Sequence, residues 1–382
     1  MDLVRVEEGS TRFFVPRQDI SSRFPPGTAR VFYNRRMELN RDATVLFTSV
    51  MKPSSYLDAM GATGIRGLRI ASECGVPVTI NDHDPDACNL IRKNVAESGM
   101  DIEVTCRNVH ALLAERRFDA VDLDPYGSPA PFIDSGIRGV RSCLMVTATD
   151  TAPLCGAHKR AGIRRYFAQP LNTEYHAETG LRILLAFVAR EIVKYDRGLD
   201  PLFCFAREHY IRAHFRITQG ASAADRTIGR IGYVHQCPRC PERVEQAGIL
   251  PEPVPCARCG IRMVPIGPLW LGHIQDPAVI TLMLNSIASL KIHTTRELSL
   301  LLELLSGELP LSCHYDYHRI AKHAKVSPRP IRDVIASLQA EGYAAGRAHY
   351  SGTALKTDAP LSALISVIER ADSQPVTGIE VR

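Results

Sequence analysis

Twelve residues of this 382-residue chain stand out for chemistry, "VDLDPYGSPAPF" at positions 121–132. An apolar, strand-like run (Phe118, Ala120, Val121, Leu123) ends in an aspartate, a proline, an aromatic and a glycine. That order predicts a strand that turns sharply and presents Asp124 and Tyr126 at one corner. In parallel sheets ligands gather where strands reach their carboxyl ends, so a carboxylate beside an aromatic there suits a flat, hydrogen-bonding substrate. A turn that needs Asp, Pro and Gly only for its dihedrals accounts for the same letters.

A second cluster, "LDAMGATGIRG", places Asp58 at a predicted strand end, followed by Gly61, Gly64 and Gly67 through a turn into a helix. Small residues let a backbone approach a ligand, and the helix start offers free N–H groups. Asp82 closes the next strand in "INDHD", where an acid can accept both hydroxyls of a ribose belonging to a nicotinamide cofactor or to S-adenosylmethionine. As a plain helix cap, Asp84 is better placed than Asp82. The Asp-Pro-Tyr-Gly corner separates the two cofactors. The lone pair of a base's exocyclic amine is delocalised into the ring. A carboxylate that accepts its hydrogens localises that pair and disperses the charge that develops as a methyl arrives, while an aromatic stacks on the base. Hydride transfer needs neither.

A third constellation is metallic. Cys237 and Cys240 in "CPRC", then Cys256 and Cys259 in "CARC", give two CxxC pairs at zinc-ribbon spacing. Four thiolates close a tetrahedral zinc, which is then structural and activates no water. Other cysteines (Cys74, Cys88, Cys143, Cys204) sit singly in apolar segments, as small buried thiols do. Cations recur in "GAHKRAGIRRYF", where Lys159, Arg160, Arg164 and Arg165 follow another strand-end motif and are placed to neutralise RNA phosphates or to form an ordinary charged helix face. Arg239, Arg243 and Arg258 in the cysteine segment read as solvated charge.

These residues need positioning elements. From 55 to 150 strand and helix patterns alternate, which predicts a parallel, doubly wound α/β sheet. From about 225 to 268 periodicity fades among cysteines, prolines and arginines. From about 312 a helix, a turn carrying Pro328 and Pro330, a second helix and a Gly-punctuated hairpin predict a winged-helix-like α+β unit. The expected division is a methyltransferase domain over 1–267, with the zinc segment at about 230–265, and a nucleic-acid-binding domain over 268–382. With 45% hydrophobic and 23% charged residues the chain is a folded protein. Its net charge of +5 permits a polyanionic partner without demanding one. The acidic start "MDLVRVEEGS" and the lack of a long apolar run predict a cytoplasmic protein with no membrane partner.

The blocks "VFYNRRMELNRD", "LDAMGATGIRG", "DLDPYGSP", "VTATDTAPLCGAH", "GYVHQCPRC", "GPLWLG" and "AHYSGTALKTDAP" resemble, in this order, the tRNA (guanine-26) N2-dimethyltransferases, and by compact length the archaeal members most. The resemblance implies a Rossmann-like domain that binds S-adenosylmethionine and transfers one or two methyls to the N2 amine of guanine 26 in tRNA, with no obligate protein partner. It implies that Arg41, Arg66 and Asp82 contact the cofactor, that Asp124 is catalytic, and that Phe32 and Tyr126 sandwich the guanine. It adds Arg347, His349 and Lys356 as tRNA contacts. The chain departs from the family where Arg35 follows Asn34, where Tyr126 replaces a phenylalanine, and where "CRNVHALL" stands after the third strand. There Asn108 and the Val109 N–H are the expected adenine contacts. Two rival readings are an amino-methyltransferase for another nucleic acid or a protein, and a zinc-containing winged-helix DNA-binding regulator.

Overall fold

The computed structural model describes residues 2–17 and 31–370. The chain opens with a hairpin, β1 (Leu3–Glu8) and β2 (Thr11–Pro16), followed by α1 (Glu38–Met51). Strands and helices then alternate: β3 (Tyr56–Asp58), α2 (Ile65–Cys74), β4 (Val78–Asp82), α3 (Pro85–Ser98), β5 (Glu103–Cys106), α4 (Val109–Glu115), β6 (Phe118–Leu123), α5 (Ile133–Gly139) and β7 (Val140–Ala148). After the short α6 (Thr151–Leu154) come α7 (Lys159–Tyr166) and the long α8 (His176–Val193), then the hairpin β8 (Arg197–Arg207) and β9 (Tyr210–Gln219) and α9 (Ala221–Ile228).

The sheet order is β5-β4-β3-β6-β7-β9-β8, with the first five strands parallel and β9 and β8 antiparallel to their neighbours. The expected alternation is present, and the antiparallel hairpin extends it into a mixed sheet. Residues on successive positions face opposite cores, as the period of two requires. Leu57, Val121 and Leu144 join one core with Leu181, Leu184 and Val188 of α8. Tyr56, Ala120 and Met145 join the other with Leu46 of α1 and Leu68 of α2. The strand order reverses between β3 and β6, so their carboxyl ends, Asp58 and Leu123, open the crevice where ligands bind in such sheets.

Next come β10 (Ile231–Gln236), β11 (Arg243–Ala247) and β12 (Val264–Trp270), a separate antiparallel sheet, then α10 (Pro277–Ser286) and α11 (Thr295–Gly307). The last unit holds β13 (Tyr315–Asp316), α12 (Tyr317–Ala324), α13 (Ile331–Ala340), β14 (Ala345–Arg347), β15 (Ala354–Thr357) and α14 (Leu361–Arg370), with sheet order β13-β15-β14. Two helices, a turn and a β-hairpin make it winged-helix-like.

The hydrophobic cores move the expected domain boundary. Leu298, Leu301, Leu302 and Leu305 of α11 and Ile280 and Met283 of α10 pack in the same core as α1, so residues 268–307 belong to the first domain. The separate core begins at Tyr315 and runs to Ile368. The leucine stripe of α11 is long enough to need a partner face, and α1 supplies it. Residues beyond 370, placed in the second domain by sequence, lie outside the described residues. Among the described residues no helix is long and apolar enough to cross a membrane.

Candidate active site

Below the crevice lies a buried charged floor. Asp122 of β6 takes two bonds from Arg212 (2.7 and 2.6 Å) and one from the Tyr56 hydroxyl (2.7 Å), with the Arg66 Nε 3.6 Å away. Burial alone pushes its carboxyl up, but Arg212 and Arg66 outweigh it and hold the group well below the usual range. Asp58 has the opposite balance. Burial raises it against Arg66, neighbouring Asp122 adds to the rise, and its carboxyl reaches about 7. Two neighbouring acids are thus pushed apart in basicity by their surroundings.

Arg66, at the start of α2, connects this floor to the reactive corner. Its guanidinium donates to Asn40 Oδ1 (3.1 Å), to Thr44 Oγ1 (2.8 Å) and, in a close ion pair, to Asp124 Oδ2. Among the described residues Asp124 Oδ1 has no protein partner. The loop after Asp124 is pinned by Thr149 at the end of β7: the Gly127 N–H donates to its hydroxyl (2.8 Å) and the Thr149 N–H donates to the Gly127 carbonyl (3.0 Å). Gly127 has φ of +92°, which a side chain would resist. Tyr126 therefore stands outward, 81% exposed.

These groups line one cavity of about 490 Å³, together with Phe32, Tyr33, Asn34, Arg41, Asp58, Met60, Ala62, Arg66, Asp124, Tyr126, Thr149 and His209. Phe32, Arg41, Asp58, Arg66, Asp124 and Tyr126 are thus brought together as the sequence suggested. Phe32 and Tyr126, expected on either side of a guanine, meet edge to face with centroids 5.6 Å apart and planes at 66°. A base between parallel rings needs about 7 Å, two layers of van der Waals contact, so one ring must move to admit it. The exposed Tyr126 ring thus packs its edge against the half-buried Phe32.

Sequence reasoning missed Glu8. Its carboxylate accepts from Arg41 (2.7 and 2.5 Å) and from the Tyr33 hydroxyl (2.8 Å), which fixes the segment carrying Phe32. Burial works against ionisation, yet Arg41 keeps Glu8 below its ordinary value. A glutamate at a hairpin end carries no local signal of such a contact. His209, at the β8–β9 turn, was missed for the same reason.

Asp82, Asn108 and Val109 line no part of this cavity. Asp82 accepts from the Ala62 N–H (2.9 Å) and the Asp84 N–H (3.0 Å), which ties the glycine turn to β4. Asn108 caps α4 by accepting from the His110 N–H (2.9 Å), and the Val109 side chain packs in the core. Gly61 and Gly67 are small for a different reason than supposed. A Cβ on either would come within 2.5 Å of Ile80, so the turn is close-packed on β4 and not only open to a ligand.

Two expected tRNA contacts are corrected. Lys356 is buried between Glu178 (2.8 Å) and Glu308 (2.7 Å), and the His349 ring is buried against Glu308 (2.7 Å), so neither side chain reaches a surface. These ions join α8 to the last domain. Arg347, Lys159, Arg160, Arg164 and Arg165 are exposed, although Arg165 pairs with Asp150 (2.9 Å). Arg243 is also not free charge: it donates to the His314 carbonyl (2.7 Å) and lies 3.6 Å over the Tyr315 ring, fastening the small sheet to the last domain. Of the cysteines read as single, Cys88 lies in a disulfide with Cys106.

The four cysteine sulfurs come from two tight turns flanking β11 and lie within 4.8 Å of one another. Separations of 3.7 Å (Cys240–Cys256) and 3.8 Å (Cys240–Cys259) match the roughly 3.8 Å edge of a tetrahedron with Zn–S bonds of about 2.3 Å, while Cys237–Cys259 is closer at 3.3 Å. The Arg239 N–H donates to the Cys237 sulfur (3.4 Å), as suits a thiolate. The donor set fits zinc.

Residues 9–369 match the family model for N2,N2-dimethylguanosine tRNA methyltransferase. The chain belongs to this family. It is 58% identical over 368 residues to the tRNA (guanine(26)-N(2))-dimethyltransferase of Methanosphaerula palustris, covering 96% of this chain and 99% of that one. Against the enzyme of the same name from Methanosarcina mazei the identity is 39% over 378 residues, with 95% and 97% covered. Trm1 from Pyrococcus horikoshii, solved in complex with S-adenosyl-L-methionine, superposes with a TM-score of 0.88 at 35% identity over 96% of this chain and 100% of that chain. The crevice described above therefore belongs to a Rossmann-like methyltransferase fold with a zinc-ribbon-like insertion and a winged-helix-like C-terminal unit.

Proposed function

We infer that this chain transfers one or two methyl groups from S-adenosylmethionine to the exocyclic N2 amine of guanine 26 in tRNA. The observation that carries this reading is Asp124: an acid gripped on one oxygen by Arg66, with the other unpartnered among the described residues, in a cavity that also holds a buried acid and two aromatic rings. S-adenosylmethionine supplies a methyl group on a sulfonium, a cation that the Asp58 side of the cavity suits.

The residues divide the work. Arg66 fixes the direction of Asp124, while Asp122, itself held by Arg212, faces Arg66 from below. Phe32 and Tyr126 part and stack on the extruded guanine, which excludes water from the amine. Asp124 Oδ1 accepts the amine's hydrogens, localising the nitrogen lone pair for in-line attack on the methyl carbon. As the N–C bond forms and the C–S bond breaks, Asp124 takes the proton directly or through water. Arg41 is held by Glu8 at the cofactor side, and Asp82, Asn108 and Val109 serve the adenosine end beyond the cavity. Zinc on Cys237, Cys240, Cys256 and Cys259 is structural and takes no part in the transfer. Arg347 and the α7 cations meet tRNA phosphates in the cytoplasm, where the substrate resides.

The test is transfer of labelled methyl from S-adenosylmethionine to an unmodified tRNA transcript, followed by nucleoside analysis. N2-methylated guanosine at position 26 is the expected product. Asp124→Asn lowers the transfer rate by about 10²- to 10⁴-fold, the usual share of a positioned base, while cofactor affinity is retained. Near wild-type transfer by that variant would remove Asp124 from the chemistry.

A further inference from the structure

We propose that the C-terminal end of α7 carries a second stacking site for a tRNA base, formed by Phe167 and Ile163 and separate from the aromatic pair at the catalytic cavity. The proposal rests on the tRNA reading above. Phe167 is 69% exposed and Ile163 44%, a large apolar surface beside the reactive loop with no protein partner to cover it among the described residues.

Several features show that this aromatic is held out. Phe167 ends α7 in the left-handed region with φ of +47°, a position that glycine fills far more readily. Its backbone is clamped there: Arg190 donates to the Tyr166 carbonyl (2.6 Å) and the Phe167 carbonyl (3.3 Å), and the Phe167 N–H closes on the Ile163 carbonyl (3.0 Å). Tyr166, fully buried, points the other way and donates to Asp150 (2.6 Å) while bonding Ser128 (2.9 Å), two residues past Tyr126. The same helix turn thus grips the catalytic loop with one aromatic and presents the next one to solvent.

The charge pattern selects the partner. Arg160, Ile163, Arg164 and Phe167 fall at helical spacing on one exposed face, and α7, "KRAGIRRY", contains no acid. Lys159, Arg160 and Arg164 make no ion pair among the described residues, so their charge is available to a polyanion. Cations that follow a phosphate backbone around an aromatic that stacks on a base are the elements of nucleic-acid binding without sequence readout. An RNA strand leading its flipped guanine into the cavity passes this face, because Ser128 and Tyr166 join the two.

The experiment measures binding of an unmodified tRNA transcript by fluorescence anisotropy across a salt series, for the wild type, Phe167→Ala, Phe167→Trp and Phe167→Gly. The expected result is about a tenfold rise in Kd for Phe167→Ala at every salt concentration, the size of one lost base stack, with the slope of log Kd on log salt unchanged. Phe167→Trp retains affinity. Phe167→Gly loses affinity as alanine does while its Tm equals or exceeds wild type, since glycine accepts the left-handed φ, and a merely structural role would lower Tm instead. Arg164→Ala, in contrast, lowers the salt slope by about one. Wild-type affinity in Phe167→Ala, alongside wild-type chain that binds and methylates tRNA, overturns this inference alone; wild-type chain that does neither overturns the functional reading as well. Unchanged RNA binding with loss of a self-associated state would assign the patch to a second copy of the chain and also overturn the proposal.

Discussion

Replacing Lys356 by methionine tests how the last domain is joined to the methyltransferase domain. The Lys356 ammonium lies 2.8 Å from Glu178 and 2.7 Å from Glu308, with all three side chains at most 1% exposed. Glu178 also pairs with Arg182 (2.9 Å) and takes bonds from the N–H groups of Cys313 (3.0 Å) and His314 (2.8 Å). Glu178 and Glu308 face Lys356 and Arg182 here, so methionine removes one of these cations and leaves the two buried carboxylates undercompensated. Breaking a buried pair in this way costs about 3–5 kcal/mol. That is a large part of the roughly 5–15 kcal/mol that stabilises a typical protein. The assay is urea unfolding followed by the fluorescence of Trp270, the single tryptophan, whose carbonyl accepts from Arg182 (2.8 Å). At pH 7.5 the variant's midpoint falls well below wild type.

The pH dependence sharpens this test. Burial raises the Glu308 carboxyl, but His349 and Lys356 pull it down to about 2, and Glu178 is held well below its ordinary value against burial by Lys356 and Arg182. Their folded values lie below the unfolded value of about 4.3, so wild-type stability from this cluster is present above pH 4.3 and lost as pH falls towards 2. In Lys356→Met the deficit against wild type narrows on acidification from neutrality. His314 is kept low first by burial and also by Lys356, while Glu178 favours its protonation. Its folded value lies below the unfolded one, so this group costs stability as pH falls through about 6.5; without the lysine the folded value rises and that cost is smaller. The variant therefore recovers part of its deficit between pH 7.5 and 5.5. A loss under 1 kcal/mol at pH 7.5, or a deficit that widens on acidification, would refute this reasoning.

Two further outcomes follow from the site. Because burial lifts Asp58 to about 7, cofactor affinity measured by calorimetry falls about tenfold per pH unit below 7, and Asp58→Asn gives a flat, weak profile. Cys240→Ser, or stripping by a chelator, removes zinc as read by metal analysis and lowers Tm, because the two turns around β11 have little else than the sulfurs and Met263 as a core.

Much of the site was legible because its signals are local. The Asp-Pro-Tyr-Gly corner, the strand-end acid Asp58 and the two CxxC pairs each need only a few neighbouring residues to declare a turn, a strand end or a metal, and each lies where its own segment placed it. Lys356 and His349 misled for the opposite reason. A cation in a polar, family-like block reads as surface, and only Glu178 and Glu308, 178 and 48 residues before Lys356, bury it. The leucines of α11 likewise show an apolar face without saying which core takes it.

The sequence by itself determined the alternation of strands and helices, the Asp-Pro-Tyr-Gly corner and the four-cysteine cluster, since dihedral preference, side-chain period and short spacing are properties of contiguous residues. Only the tertiary structure decided that Arg66 holds Asp124 while Asp122, fixed by Arg212, faces Arg66, that Glu8 fixes the loop of Phe32, and that Phe167 is turned out beside the Asp124 loop. Those arrangements depend on charges and rings brought together from distant segments, and burial, which sets the strength of each such contact, exists only once the chain has closed around them.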